Sequence, residues 1–197
     1  MRIVTDVGGL SFDEILPTLS SEKRDFVQTI IERRKTRTRP KPSKKLLDRS
    51  ALLSTQKRAR LIDQVALLVD ENMYGRSNLC FQFAELIQRA LTHSGLPAKA
   101  VVGMARYLDR HETILFEWRH AWVECGDEVI DGNVDILSEN PFVPRTVSVR
   151  PYWGSISELP KDRTLEPLPL SLPYDNDVET KWWPDLKTWW QTELLRS

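Results

Sequence analysis

Residues 79–95 read LCFQFAELIQRALTHSG, and the spacing of their apolar side chains decides how the rest of the chain is read. Cys80, Ala84, Ile87 and Leu91 advance by four, three and four, which places them on one stripe of an α-helix. The cysteine therefore faces the packed side of the helix and sits near its start. Gly95 supplies a left-handed terminator, and Pro97 follows where a helix has already ended. A polar break, Met73 to Asn78, precedes the helix.

Beyond the helix the pattern turns β-like. Ala98 to Tyr107 (AKAVVGMARY) and Glu112 to Cys125 (ETILFEWRHAWVEC) carry β-branched and aromatic runs, and Glu128 to Asp131 (EVID) is a third, short run. Gly126-Asp127 suits a two-residue hairpin turn between the last two. With that turn Cys125 opposes Glu128 and Trp122 opposes Asp131, so His120 and Asp131 become diagonal neighbours on one face. Ala121, Val123 and Ile130 fall on the other, apolar face.

A cysteine nucleophile acts as a thiolate, which the partial positive charge of a helix N-terminus favours, and it needs a base held by a third group. The chain has three histidines. His93 lies at the far end of the cysteine's own helix, roughly 20 Å away. His111 stands in the polar stretch LDRHE, a loop tip. His120, inside an apolar strand, is left as the base, with Asp131 as its orienting carboxylate and Asp135 as a rival. The assumed register puts Asp135 beyond the third strand, so substitution there is expected to cost little. For the oxyanion, the backbone N–H of Cys80 is the geometric candidate, with Tyr74, Asn78 and Trp122 as nearby polar groups.

GRSNLCFQFAELIQRALTHSGLPAKAVVGMARY followed by EWRHAWVECGDEVIDGNVD resembles the core of transglutaminase-like proteins, in which a Cys opens a helix, a G-[IL]-P-A-[RK]-x-V-x-G strand follows, and H-A-W-V-E precedes an Asp. The resemblance runs from about Tyr74 to Asp135. It implies a nucleophile at Cys80, a base at His120 and an orienting acid at Asp131, with no metal or other cofactor. The same fold is shared with arylamine N-acetyltransferases, peptide N-glycanases, the leader peptidases of lasso-peptide pathways and, more distantly, papain.

Composition narrows the classes. The chain has 197 residues, 41% hydrophobic and 28% charged, with no internal repeat and no run of apolar residues long enough for a membrane span. Cys80 and Cys125 form no zinc-like spacing and no disulfide framework, which together with the N-terminus points to a reducing, cytoplasmic setting. Charge is uneven: between Lys23 and Arg60 there are 14 Lys/Arg against three acids. Ser20 to Arg37 reads as a helix. The stretch from Arg33 to Lys45, RRKTRTRPKPSKK, has no apolar side chain, so it is expected to be a solvated linker. A nucleic-acid contact is its alternative reading.

Residues 1–50 are thus grouped as an N-terminal helix and basic linker, and 51–197 as the main domain. Prolines after Asp135 predict irregular structure there. The C-terminal helix carries Leu186, Trp190 and Leu194 on one face, with the Trp pairs at 182–183 and 189–190 as buried anchors or as walls of a cleft.

The expected fold is α+β, a Cys-bearing helix packed on an antiparallel β-sheet that carries the His and Asp, with additional N- and C-terminal helices. The expected function is acyl transfer by a cysteine nucleophile, in the first instance hydrolysis of an amide or peptide bond in a protein or peptide substrate. Transfer to an amine acceptor and a catalytically silent peptide-binding module are the alternatives.

Overall fold

The computed structural model describes residues 16–25, 28–29, 41–71, 76, 78–140 and 143–195. Six strands form one sheet: β1 (Leu47–Arg49), β2 (Ala98–Leu108), β3 (Ile114–Cys125), β4 (Glu128–Asp131), β5 (Tyr152–Ser155) and β6 (Arg163–Pro167), in the order β1-β5-β4-β3-β2-β6. Neighbours are antiparallel except β1 and β5, which run parallel, so the sheet is mixed rather than wholly antiparallel. Three helices pack on one face: α1 (Thr55–Val69), α2 (Cys80–His93) and α3 (Trp183–Leu194).

Helix α1 begins where the Ser54 side chain accepts a hydrogen bond from the Lys57 N–H, satisfying one of the donors that every helix start leaves open. Helix α2 buries Phe83, Ala84, Leu86, Ile87, Ala90 and Leu91, the stripe its spacing predicts. It ends as the sequence requires: Gly95 takes φ +80°, and the Leu96 N–H closes on the Leu91 carbonyl at 3.0 Å. Only a residue without a Cβ enters this conformation cheaply.

The core lies between these helices and the sheet, where Leu61, Ile62, Leu86, Ile87, Ala121, Val123, Ile130 and Trp153 are excluded from water. Each large side chain buried there contributes about 1.5–3 kcal/mol. Trp190 locks α3 onto α2 by donating from Nε1 to the Ala90 carbonyl at 3.0 Å. Trp182 and Trp190 are buried members of this core, so they are anchors of the terminal helix.

The β3–β4 hairpin has the predicted register, Val123 opposite Ile130 and Cys125 opposite Glu128. Residues after Asp135 are more ordered than their prolines suggest. They build a 3₁₀ segment (Val134–Glu139) and two sheet strands, β5 in the interior of the sheet and β6 at its edge. Both strands are too short to show an alternation, and Pro151 and Pro167 stand at their borders, where proline is tolerated.

The predicted helix at Ser20–Arg37 is helical at 21–25 and 28–29, Ser20 stands just before it, and its other residues lie outside those described. The same holds for Arg33 to Pro40 of the basic stretch. Its end is not free: Pro42 is buried, and Ser43 donates to both carboxylate oxygens of Asp63, from its N–H at 3.0 Å and from its hydroxyl at 2.7 Å.

Gly103 on β2 stands opposite His120. A Cβ there would collide with the Glu166 carbonyl and with the Trp122 ring. The absent side chain is what lets Trp122 fold across β2. Gly103→Ala is expected to destabilise the protein by about 1–3 kcal/mol, as overpacking of tight sites does; a denaturant midpoint equal to wild type would contradict this close approach.

Candidate active site

Strand β3 carries His120 and β4 carries Asp131, and both are fully buried. The ring Nε2 of His120 lies 2.8 Å from Oδ1 of Asp131. The hairpin register places the two residues on one face and side-chain reach closes the gap, as diagonal geometry allows. The second oxygen, Oδ2, accepts from Nη1 of Arg163 at 2.6 Å, and this guanidinium is buried as well.

Aromatic rings fix the imidazole plane. Trp118 stacks on His120 with centroids 5.3 Å apart and planes 13° apart, and Trp122 tilts over it at 6.4 Å. Tyr107 on β2 is buried alongside, its hydroxyl accepting from Trp118 Nε1 at 3.3 Å.

Cys80 opens α2 and is buried. No side chain caps that helix end, so its first-turn N–H groups keep their pull on an anion. The ring atom of His120 that Asp131 does not occupy, Nδ1, is buried and makes no hydrogen bond.

The electrostatics form one coupled unit. Burial by itself would push the His120 imidazole down, but the charge and hydrogen bond of Asp131, with a further contribution from Cys80, raise its pKa from 6.5 to about 9. Burial would likewise raise the Asp131 carboxyl, yet His120 and Arg163 outweigh it and hold that carboxyl below its ordinary value. Tyr107 is pushed well above the usual phenol value, by burial first and by the Asp131 charge second.

Asp135 is not at this centre. It is buried and takes a two-point contact from Arg76 Nη2, at 2.9 and 2.7 Å, while Arg76 Nη1 donates to Asn133 Oδ1 at 2.8 Å. Asn133 returns a bond to the Arg76 carbonyl at 2.9 Å. The network ties the residues just before Cys80 to those just after Asp131, and Phe83 of α2 packs against Gly132 between them. Replacing Asp135 would strand a buried guanidinium, so a cost in stability is expected there, separate from any effect on turnover.

Among the other predicted polar groups, Trp122 Nε1 already donates to Glu124 Oε1 at 3.2 Å. Asn78 is half-buried, and Tyr74 lies outside the described residues. His111 is exposed at the β2–β3 loop, where its N–H donates to Asp109. His93 ends α2 against Trp183. Cys125 is on the helix side of the sheet, its thiol pushed up by burial and by Glu128. Both cysteines are free thiols.

Arg163, Arg76 and Tyr107 escaped the sequence reading. For Arg163 no local signal exists, because a single arginine among prolines says nothing about a partner over thirty residues away. No group of three or more His, Cys, Asp or Glu among the described residues could hold a metal ion. No described helix is long and apolar enough to cross a membrane.

A profile of the transglutaminase-like superfamily matches residues 24–140, more than half of the chain. The chain belongs to the transglutaminase-like superfamily. No curated protein matches it. A solved structure known as "The crystal structure of genomics APC5867" is similar at 16% identity with a TM-score of 0.47, over 62% of this chain and 70% of that one. A likeness that distant carries no argument. For this transglutaminase-like protein the weight rests on its own geometry, in which His120 and Asp131 meet and Asp135 is engaged elsewhere.

Because the folded-state pKa of His120 is raised, its protonated ring stabilises the fold fully below about 6.5 and loses that contribution as pH rises through about 9. The unfolding free-energy gap between wild type and His120→Gln is therefore expected to be larger near about pH 6 than above about pH 9, as read by denaturant titration; a gap that does not change with pH would contradict the coupling. Asp135→Asn is expected to lower stability by about 3–5 kcal/mol, the usual cost of breaking a buried pair, and an unchanged midpoint would contradict the network.

Proposed function

We propose that the chain is a cysteine-nucleophile acyl-transfer enzyme that hydrolyses an amide or peptide bond through a thioester on Cys80. The observation that carries this reading is the division of the His120 ring: Nε2 is held by Asp131, the buried Nδ1 makes no well-formed hydrogen bond, and the Cys80 thiol is near enough to act on the same ring by charge and weak hydrogen bonding. A buried imidazole nitrogen without a bond costs free energy unless something uses it. Exchange of a proton with the thiol of Cys80 uses it.

In the proposed reaction the Cys80 thiolate attacks the carbonyl carbon, and a C–S bond forms as the oxygen takes up negative charge. The backbone N–H of Cys80, at the uncapped start of α2, supports that oxyanion. As the tetrahedral species collapses the C–N bond breaks, and the His120 imidazolium gives its proton to the leaving amine. Water then enters. His120, now neutral, takes a proton from it as its oxygen bonds to the acyl carbon, the C–S bond then breaks, and the acid leaves with the thiolate–imidazolium pair restored. Asp131 holds the ring and balances its charge throughout, without taking a proton itself.

Two outcomes follow. Iodoacetamide near neutral pH is expected to modify Cys80 well ahead of Cys125, read by peptide mass after brief labelling, because only Cys80 has an imidazole partner and a helix start. Equal, slow labelling of both would contradict an activated nucleophile. Asp131→Asn is expected to lower kcat by roughly 10–10⁴-fold, by analogy with loss of an orienting carboxylate; a turnover equal to wild type in a folded variant would remove Asp131 from the mechanism.

A further inference from the structure

The family profile ends at residue 140, yet the carboxylate that holds His120 takes its second hydrogen bond from β6, beyond that limit. We infer that Arg163 is a positioning residue of the active site, supplied by the C-terminal part of this chain, which keeps Asp131 ionised and aimed at His120. The inference rests on the triad reading and adds a fourth member to it.

The guanidinium is held on every side. Nε donates to Asp162 Oδ1 at 2.8 Å, Nη1 to Asp131 Oδ2 at 2.6 Å, and Nη2 to the Arg150 carbonyl at 2.6 Å. Three separate anchors leave it no other pose, so the Asp131 carboxylate can rotate only by giving up a charge-assisted bond. With Oδ2 fixed, Oδ1 points at His120 Nε2, and the ring presents Nδ1 on its opposite side.

Counting charge gives the same answer. Among the described residues, the groups facing the imidazole are Cys80 from α2, Asp131 from β4, Tyr107 from β2 and, behind Asp131, Arg163 of β6 with its neighbour Asp162. Arg76 and Asp135 neutralise each other beyond Gly132. With Tyr107 neutral, a Cys80 thiolate, a His120 imidazolium, Asp131 and Arg163 sum to zero in the buried cluster, while the negative charge of Asp162 lies at its partly exposed edge, where solvent screens it. Remove Arg163 and the reactive form carries a net negative charge in a buried site. Alternatively Asp131 takes up a proton or turns away, and the imidazolium loses its counterion. Either change disfavours the thiolate, so both act in one direction.

The test is the pH profile of Cys80 alkylation by iodoacetamide, with folding checked by circular dichroism. Arg163→Met is expected to move the profile midpoint upward by about one pH unit or more, and to do so only while Asp131 is present. In an Asp131→Asn background the same substitution is expected to move it little, because no carboxylate remains to be positioned. A shift of the same size in both backgrounds, or none in either, would overturn the inference, since a merely structural arginine has no reason to act through Asp131.

Should Arg163→Met not fold, Arg163→Lys decides. An ammonium keeps the charge but cannot make the three-way contact, so a smaller upward shift, again dependent on Asp131, is expected. A Lys variant identical to wild type, beside an unfolded Met variant, would assign Arg163 to stability alone and overturn the inference. A wild-type Cys80 no more reactive than Cys125 sinks the triad and this inference with it. A reactive wild type with unmoved Arg163 variants sinks only the inference.

Discussion

Asp131 is a carboxylate with no access to water, and each of its oxygens has one partner: His120 on one, Arg163 on the other. An isolated buried charge would cost far more than a domain's whole stability, so the protein keeps this one ionised only by matching it on both sides. Three strands, β3, β4 and β6, must arrive in fixed register for the match to exist. Register in turn depends on the tight Gly126-Asp127 turn, and the approach of Trp122 on Gly103. The demand of one buried charge is thereby passed to a large part of the sheet.

The cysteine is brought to this centre by separate means. Helix α2 is held on the sheet by its apolar stripe and by Trp190, and its start is fixed by Arg76, which joins Asn133 and Asp135. Phe83 packs on Gly132, one residue past Asp131. A shift of α2 along its axis would break a buried ion pair before it moved Cys80 appreciably. In the proposed reaction this rigid packing serves placement of the reacting atoms, where an error of about 1 Å can cost roughly a hundredfold in rate.

Much of this was legible in the sequence because it is local. The period of Cys80, Ala84, Ile87 and Leu91 gives α2, Gly95 gives its end, and a two-residue turn gives the hairpin whose parity pairs His120 with Asp131. What was hidden is non-local. Strands β5 and β6 are four and five residues long and bordered by proline, so neither period nor propensity marks them, and their partners lie far away in the chain. Arg163 and Arg76 look like surface arginines until the fold closes round them. Asp135 looked expendable for the same reason: its partner, Arg76, belongs to a segment that seemed only a polar break.

The coupling between Cys80 and His120 is the centre of this account, and an NMR titration of the His120 ring in wild type and in Cys80→Ala measures it most directly. The account predicts a wild-type midpoint of about 9 and a lower one once the thiol is gone, because Cys80 contributes to the raised value. A ring that titrates near the free value of about 6.5, or whose midpoint ignores the loss of Cys80, would contradict it.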